Sequence, residues 1–473
     1  MNNFNSAFAH ALQLQPLQLT CVNEACCKSR ETRTMWRYHP DLLNSAVPRY
    51  TSYPTAAEFR PVDADFHAEG FGGIAAETAL SLYLHIPYCD AICWYCGCNT
   101  GAAGHRQRLG AYMQALDREI NTVARTLQGR GRVRSIAFGG GSPNAVPPIA
   151  FVRLLERLTL AFRALDADMA IELDPRSYTH EWERIVAMAP FHRVSLGVQT
   201  FAPHVQAAIG RVQPLDEIKR TVESLRGAGV LSLNFDLMYG LPEQTDDDLA
   251  ATLEDAIRLA PDRIALFGYA HLPSRIPRQR RIDGTHLPGA EARFRMAERG
   301  YEMLVAAGYQ PIGFDHFALP DDSMARAASS GRLRRNFQGF TDDESDVLLG
   351  FGATAISSFP DRFVQNEKNV GRYRGLAGDG KLTGALGVCR SEDDRRRGAI
   401  IEAILCGGWA SFEGHPPDAE TCHRLQPFVD RGLCSVGENA ISLKDGALPY
   451  ARAIASCFDI YRHPDAQRFS SAI

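Results

Sequence analysis

The chain has no large surplus of either charge and no long apolar run. Its 51 lysines and arginines stand against 55 aspartates and glutamates, a net charge of −4. No global basic field therefore recruits nucleic acid or anionic lipid. No stretch approaches the roughly 18 consecutive apolar residues of a membrane span. Residues 1–20, MNNFNSAFAHALQLQPLQLT, lack a basic start and an unbroken apolar segment, so no secretory signal is expected. The glycine run FGGGSP (138–143) is followed by no Gly-Lys-Ser/Thr, which excludes a phosphate loop of that kind. The expectation is a monomeric, cytoplasmic protein with reduced thiols, no membrane span and no nucleic-acid partner.

Cysteine, by contrast, is plentiful at 12 residues. In a reducing compartment, clustered cysteines point to metal or redox chemistry. Cys89, Cys93, Cys96 and Cys98 crowd into LYLHIPYCDAICWYCGCNT, directly after a short apolar run. The scattered Cys389, Cys406, Cys422, Cys434 and Cys457 read as small buried hydrophobes. Cys21, Cys26 and Cys27 have no fourth ligand at zinc-finger spacing and take no assigned role. Zinc sites usually match one C-x2-C pair with a second pair far away, and no second pair follows here. The spacing C-x3-C-x2-C puts three thiolates on one tight loop and suits iron–sulfur ligation, with a structural zinc knot as the alternative. Three cysteines on a cubane leave one iron open to a small ligand. Cys98 is a further candidate, but two ligands separated by one residue hardly reach different corners of one cube.

Six apolar, β-branched-rich runs follow one another at 81–87, 135–140, 170–174, 193–198, 231–238 and 263–269. The gaps between them hold amphipathic stretches such as IAFVRLLERLTLAFRAL (149–165), the pattern of parallel βαβ units. Such a chain builds either a doubly wound sheet or a partial barrel. Nearly every run ends in polar or glycine residues: the cysteines, Gly139–Ser142, Glu172 with Asp174, Gln199, Asp236, and Tyr269 with His271. Convergence of strand ends on one mouth is a barrel property, so the expected fold class is α/β, a partial (β/α)6 TIM-like barrel of parallel strands. The expected organisation is an irregular extension over 1–45, an N-terminal arm over 46–80 and a catalytic domain over 81–370. A smaller, mostly helical C-terminal domain completes it over 371–473.

The cysteine spacing with an aromatic before its last member resembles the signature of the radical S-adenosylmethionine enzymes. PRYTSYPTAAEF, LYLHIPYC, CGCN, FGGGSP, IELDPR, LGVQTF, NFDLMYGLPEQT, YAHLP, GFDHFALPDD, RNFQGFT and GATAIS occur in this order. From about residue 46 onward this series resembles the oxygen-independent coproporphyrinogen III oxidases. The resemblance implies a [4Fe-4S] cluster on Cys89, Cys93 and Cys96 and two S-adenosylmethionine molecules. Tyr83, Tyr95, Gly140, Glu172 and Ile356 would surround the first, with Tyr83 and Glu172 as the catalytic pair. Gly141, Ser142, Gln199, Arg211, Asp236 and Ala270 would surround the second.

The implied reaction turns two propionates of coproporphyrinogen III, on rings A and B, into vinyl groups, giving protoporphyrinogen IX in oxygen-poor haem biosynthesis. An electron donor such as a flavodoxin or ferredoxin is implied as a partner. The residue types suit these roles: Glu172 and Asp236 accept from an amine or hydroxyls, and Arg211 grips a carboxylate in two parallel bonds. Tyr88, Tyr95 and Ser142 replace the family's frequent phenylalanines and threonine with groups of similar size. Arg49, Arg334, Arg335 and His316 are candidates to meet the substrate's four propionates. GFGATA (350–355) resembles a dinucleotide fingerprint only weakly. Rival readings are a haem-binding chaperone of the same superfamily, a radical enzyme for another tetrapyrrole, and a plain electron carrier.

Overall fold

The computed structural model describes residues 36–43, 46–104 and 106–462. Cys21, Cys26 and Cys27, most of the 1–45 extension, and residues 463–473 lie outside the described residues. All six expected strands form: β1 (Ala79–Ile86), β2 (Arg132–Gly140), β3 (Asp168–Leu173), β4 (Phe191–Gln199), β5 (Ser232–Tyr239) and β6 (Arg263–Gly268). They pair parallel and in chain order. Between them run the helices α1 (Arg106–Leu127), α2 (Pro148–Phe162), α3 (His180–Met188), α4 (Leu215–Gly227) and α5 (Asp246–Leu259). Among the described residues no helix is long and apolar enough to cross a membrane.

The alternation within each strand explains the layers. Leu80, Leu82, Leu84 and Ile86 of β1 are fully buried and share one core with Leu109, Tyr112, Leu116 and Ile120 of α1. Each such side chain contributes about 1.5–3 kcal/mol on burial. Those helix residues recur every three or four positions, one apolar stripe facing the sheet. The intervening residues of β1, Ser81, Tyr83 and His85, take the opposite face of the strand. The same holds for Glu172 on β3, Arg193 and Ser195 on β4, and Asn234 and Asp236 on β5, which line an inner cavity together with Tyr83. A closed barrel packs its interior with branched apolar side chains. Here the concave face is polar and open.

A seventh parallel strand, β7 (Val347–Phe351), pairs with β1 on the side away from β2. Its residues are buried throughout, so it carries no alternation, and its one glycine, Gly350, opens the GFGATA stretch. Beyond β7 the sheet turns antiparallel through β8 (Ile356–Ser358), β9 (Arg362–Asn366) and β10 (Gly384–Cys389). At the opposite edge, His316–Ala318 pairs antiparallel with β6. The boundary expected near residue 370 therefore does not interrupt the sheet, which continues to Cys389.

Past the sheet, α6 (Glu392–Gly407) and α7 (Ala419–Asp430) flank three short antiparallel strands, with Ala440–Leu443 in the centre. Their core is shared with the arm: Trp36, Leu43, Val47, Tyr50 and Tyr53 are buried against residues such as Ile400, Ile404, Leu425 and Phe458. Among the described residues the packed arm reaches back to Trp36, ahead of the expected residue 46. Of the scattered cysteines, Cys434 and Cys457 are buried as expected, whereas Cys389 and Cys422 are exposed.

Candidate active site

The cysteine loop leaves β1 at Pro87 and is fastened on several sides. Gly101 N donates to Pro87 O (2.9 Å) and Ala103 N to Cys89 O (2.9 Å), closing the loop at its base. Gly141 N donates to Ile86 O (2.8 Å) and Ser142 N to Tyr88 O (2.7 Å), docking it on the end of β2. A Cβ on Gly141 would lie 2.5 Å from Tyr88 O and 2.6 Å from Tyr88 N, so glycine is required for this approach. Trp94 N donates to Ile209 O (3.0 Å), Gln279 Nε2 to Tyr95 O (2.8 Å) and Arg278 Nη1 to Thr100 Oγ1 (2.8 Å).

Cations gather behind the thiols. Cys93 is buried, and its Sγ accepts from Arg176 Nη2 (3.3 Å) and Arg211 Nη1 (3.2 Å). Both guanidiniums also bond Asp174, at 2.6 Å and 3.2 Å, and Arg211 Nη2 donates to Gly197 O at 2.6 Å. Burial pushes the Asp174 carboxyl up, but bonds from Arg176 and the charge of Arg211 outweigh it and hold it below its ordinary value. A thiolate at Cys93 therefore meets two charge-assisted donors. The Cys98 thiol, bonding to Cys96, brings Cys96 down to about 6, while Cys98 itself is pushed up. Burial pushes Cys89 up to about 12.

The strand ends close the other walls. Glu172 Oε2 accepts from Gly140 N (3.2 Å), and a Cβ on Gly139 would lie 2.7 Å from Glu172 Oε1. Asp236 accepts from Ser195 Oγ (3.0 Å) and Asn234 Nδ2 (2.9 Å). Enclosure raises both carboxyls, Glu172 to about 7 with Asp236 adding repulsion. Ser142 Oγ donates to Asn144 Oδ1 (2.7 Å), which also accepts from Asp174 N (3.0 Å), tying the ends of β2 and β3 together. Gln199 ends β4 in the left-handed region (φ 61°), its buried Oε1 without a hydrogen-bond partner among the described residues.

Cys89, Cys93 and Cys96 share one cavity of about 630 Å³ with Tyr95, Gly140, Gly141, Ser142, Glu172, Gln199, Arg211, Asp236 and Ala270. Tyr83 and Ile356 do not line it. Tyr83 faces the inner cavity one layer below, its OH 3.2 Å from His85 Nδ1, and Ile356 opens β8 beside β7. Sequence reasoning missed Arg176 and His85. Arg176 follows a strand end by a turn, and only its Asp174 partner two residues earlier hinted at its aim. His85 alternates with Tyr83, which was its one signal. Its ring would be 2.5 Å from a Cβ on Gly140.

Among the described residues no three His, Cys, Asp or Glu side chains are gathered for a single metal ion. The donor set fits a polynuclear iron–sulfur group instead: three thiols on one loop, one backed by two guanidiniums, facing an open cavity. Glycine backbone and two carboxyls opposite suit a small ligand with amine and hydroxyl groups.

Residues 83–256 match the radical SAM superfamily. The chain is 41% identical over 437 residues to the oxygen-independent coproporphyrinogen III oxidase of Bradyrhizobium diazoefficiens, covering 90% of this chain and 97% of that protein. Its counterpart in Pseudomonas aeruginosa is 39% identical over 457 residues, covering 92% and 99%. The solved structure of the Escherichia coli coproporphyrinogen III oxidase, described as a radical SAM enzyme, superposes with a TM-score of 0.83 at 34% identity, covering 90% of this chain and all of that one. With relatives this similar over nearly their whole length, the chain belongs to the oxygen-independent coproporphyrinogen III oxidase family of radical SAM enzymes.

Proposed function

We propose that this protein converts coproporphyrinogen III to protoporphyrinogen IX by oxidative decarboxylation of two propionates, on rings A and B, in haem biosynthesis. The observation that carries this reading is the single cavity that joins the C-x3-C-x2-C thiols to the polar ends of β2, β3, β4 and β5. Cys89, Cys93 and Cys96 would hold a [4Fe-4S] cluster, and Arg176 and Arg211 would stabilise the Cys93 thiolate. With S-adenosylmethionine bound, the cluster supplies the means to take a hydrogen atom from an unactivated carbon.

The chain's own groups then orient the ligands. Glu172 and Asp236 accept hydrogen bonds from amine and ribose groups, and the glycines 139–141 let backbone approach closely. The family resemblance implies two S-adenosylmethionine molecules. The first would lie by Tyr95, Gly140 and Glu172, above Tyr83 and toward Ile356; the second by Gly141, Ser142, Gln199, Arg211, Asp236 and Ala270. Each propionate that becomes a vinyl group gives up one hydrogen atom, one carbon dioxide and one further electron, the last passing to an external one-electron acceptor. An external donor such as a flavodoxin or ferredoxin is required to reduce the cluster. A reducing, cytoplasmic setting accords with nine unpaired cysteines among the described residues, and the protein would act there as a monomer.

The test is an anaerobic assay of the cluster-loaded protein with S-adenosylmethionine, a reductant and coproporphyrinogen III. Protoporphyrin, carbon dioxide and 5′-deoxyadenosine are followed together. Two carbon dioxides and two deoxyadenosines per product, all lost in Cys93→Ser, are expected. Deoxyadenosine without tetrapyrrole product would move the chemistry to another substrate. Tight haem binding without any cleavage would make the protein a chaperone.

A further inference from the structure

Beside the cysteine cavity lies a second, smaller pocket of about 70 Å³, and the two share Arg49, Gly268 and Ala270. Its walls are the ends of β5 and β6, the helix Ala290–Ala306, the arm and the C-terminal segment. Apolar surface comes from Trp36, Phe294, Phe314 and Phe317. Set into that surface are three guanidiniums, Arg49, Arg293 and Arg452, and one carboxylate, Asp315.

Among the described residues no carboxylate pairs with Arg293. Asp315 already meets His316 Nδ1 (2.7 Å) and Arg49 (3.6 Å). A fourth guanidinium, Arg335, lies against Phe314 at 5.1 Å, and Arg452 lies against the same ring at 5.5 Å. Arg293 Nη2 donates to Tyr269 O (2.6 Å), while its Nε is buried with no hydrogen-bond partner among the described residues. The backbone makes room for this side chain: a Cβ on Gly240 would lie 2.8 Å from Arg293 Nε, and one on Gly268 3.4 Å from Arg293 Nη2. Burial pulls both Arg293 and Arg452 below the ordinary arginine range, Arg452 to about 10. A buried guanidinium nitrogen without an acceptor, as at Arg293 Nε, costs free energy until an acceptor arrives.

An anion on a short apolar stem satisfies both the walls and the charge. We propose that this pocket grips the carboxylate of one substrate propionate, with Arg293 as its principal partner and Arg49 and Arg452 beside it. The pocket is too small for the macrocycle, which belongs in the larger cavity. A propionate held here is therefore on a ring other than the one reacting at the cysteine loop, and it fixes which ring faces that loop. The assignment rests on the coproporphyrinogen reading above.

The test compares the cluster-loaded wild type with Arg293→Gln and Arg293→Lys. Binding of coproporphyrin III, the oxidised and unreactive relative of the substrate, is read by fluorescence beside that of its tetramethyl ester. Arg293→Gln should weaken coproporphyrin III binding and raise KM for coproporphyrinogen III by about 10- to 100-fold. Ester binding and iron content should be unchanged, and Arg293→Lys should recover part of the loss. Should Arg293→Gln fail to hold its cluster, Arg293→Lys against wild type carries the same acid-to-ester comparison. Equal binding of the free acid by wild type and variant, or an equal loss for acid and ester, would overturn the pocket. Failure of the wild type itself to bind or convert the tetrapyrrole would instead remove the functional reading, and the pocket with it.

Discussion

Glu172 occupies a position where two influences act on its carboxyl in one direction. Enclosure by the curved sheet and the nearby Asp236 charge raise it to about 7, against a smaller lowering by the Gly140 N–H. The side chain is open to the cavity itself, so a ligand there meets it directly. A cationic amine is held by the carboxylate and not by the acid. S-adenosylmethionine binding by the cluster-loaded protein should therefore weaken as pH falls from 8 to 6. Glu172→Gln should bind more weakly at pH 8 and show a flat profile, as read by isothermal titration across that range; a sloping profile in the variant would remove Glu172 from the ligand's surroundings. In the cluster-free protein the linkage has a definite sign. A raised carboxyl contributes stability that is full below about pH 4.5 and is lost as pH rises through about 7.

At the scale of elements, the site depends on how closely the loop after β1 meets the end of β2. Gly141 is the point of contact, with Tyr88 backbone on the far side. Backbone cannot swing away as a flexible side chain does, so Gly141→Ala should cost about 1–3 kcal/mol. A lowered thermal midpoint and a reduced iron content after reconstitution are the expected readings; an unchanged iron content would mean that the loop docks independently of β2. The strands that set this geometry were readable in the sequence as apolar, β-branched-rich runs spaced by amphipathic stretches of helix length. β7 was not, because it is buried on both sides and short, leaving no period to detect. Among site residues, those at strand ends were legible, since topology alone brings such ends together. Arg293 and Arg452 were not: they reach their pocket from helices whose local pattern says only which face is apolar. Arg334, a substrate candidate by sequence, instead bonds Glu402 at 3.1 Å on the surface.

For the molecule as a whole, the open concave face needs a closure at the end away from the cysteines, and Asp342 and Asp343 provide it. Arg193 Nη1 meets Asp342 Oδ1 at 2.6 Å, Ser81 and Ser135 donate to Asp343, and Arg263 meets Asp322 at 2.7 Å. These contacts bind the segment after residue 320 to the beginnings of β1, β2, β4 and β6. Burial alone would raise Asp342 and Asp343, but Arg193 and the serine hydroxyls outweigh it and hold both below the ordinary 3.8. The sign is opposite to that of Glu172: this stability is present above about pH 4 and is lost as pH falls further. The cluster-free protein should accordingly be most stable near pH 4 to 4.5, losing stability from there up to about pH 7 through Glu172 and on the acid side through Asp342 and Asp343. Asp342→Ala leaves Arg193 without its carboxylate and should cost about 1.5–3 kcal/mol at pH 6, with a shallower acid limb in urea titrations. Glu172→Gln should flatten the alkaline limb and leave the acid limb as it was. If each variant altered both limbs alike, the two ends of the sheet would titrate as one system, and the separation of plug from site would be wrong.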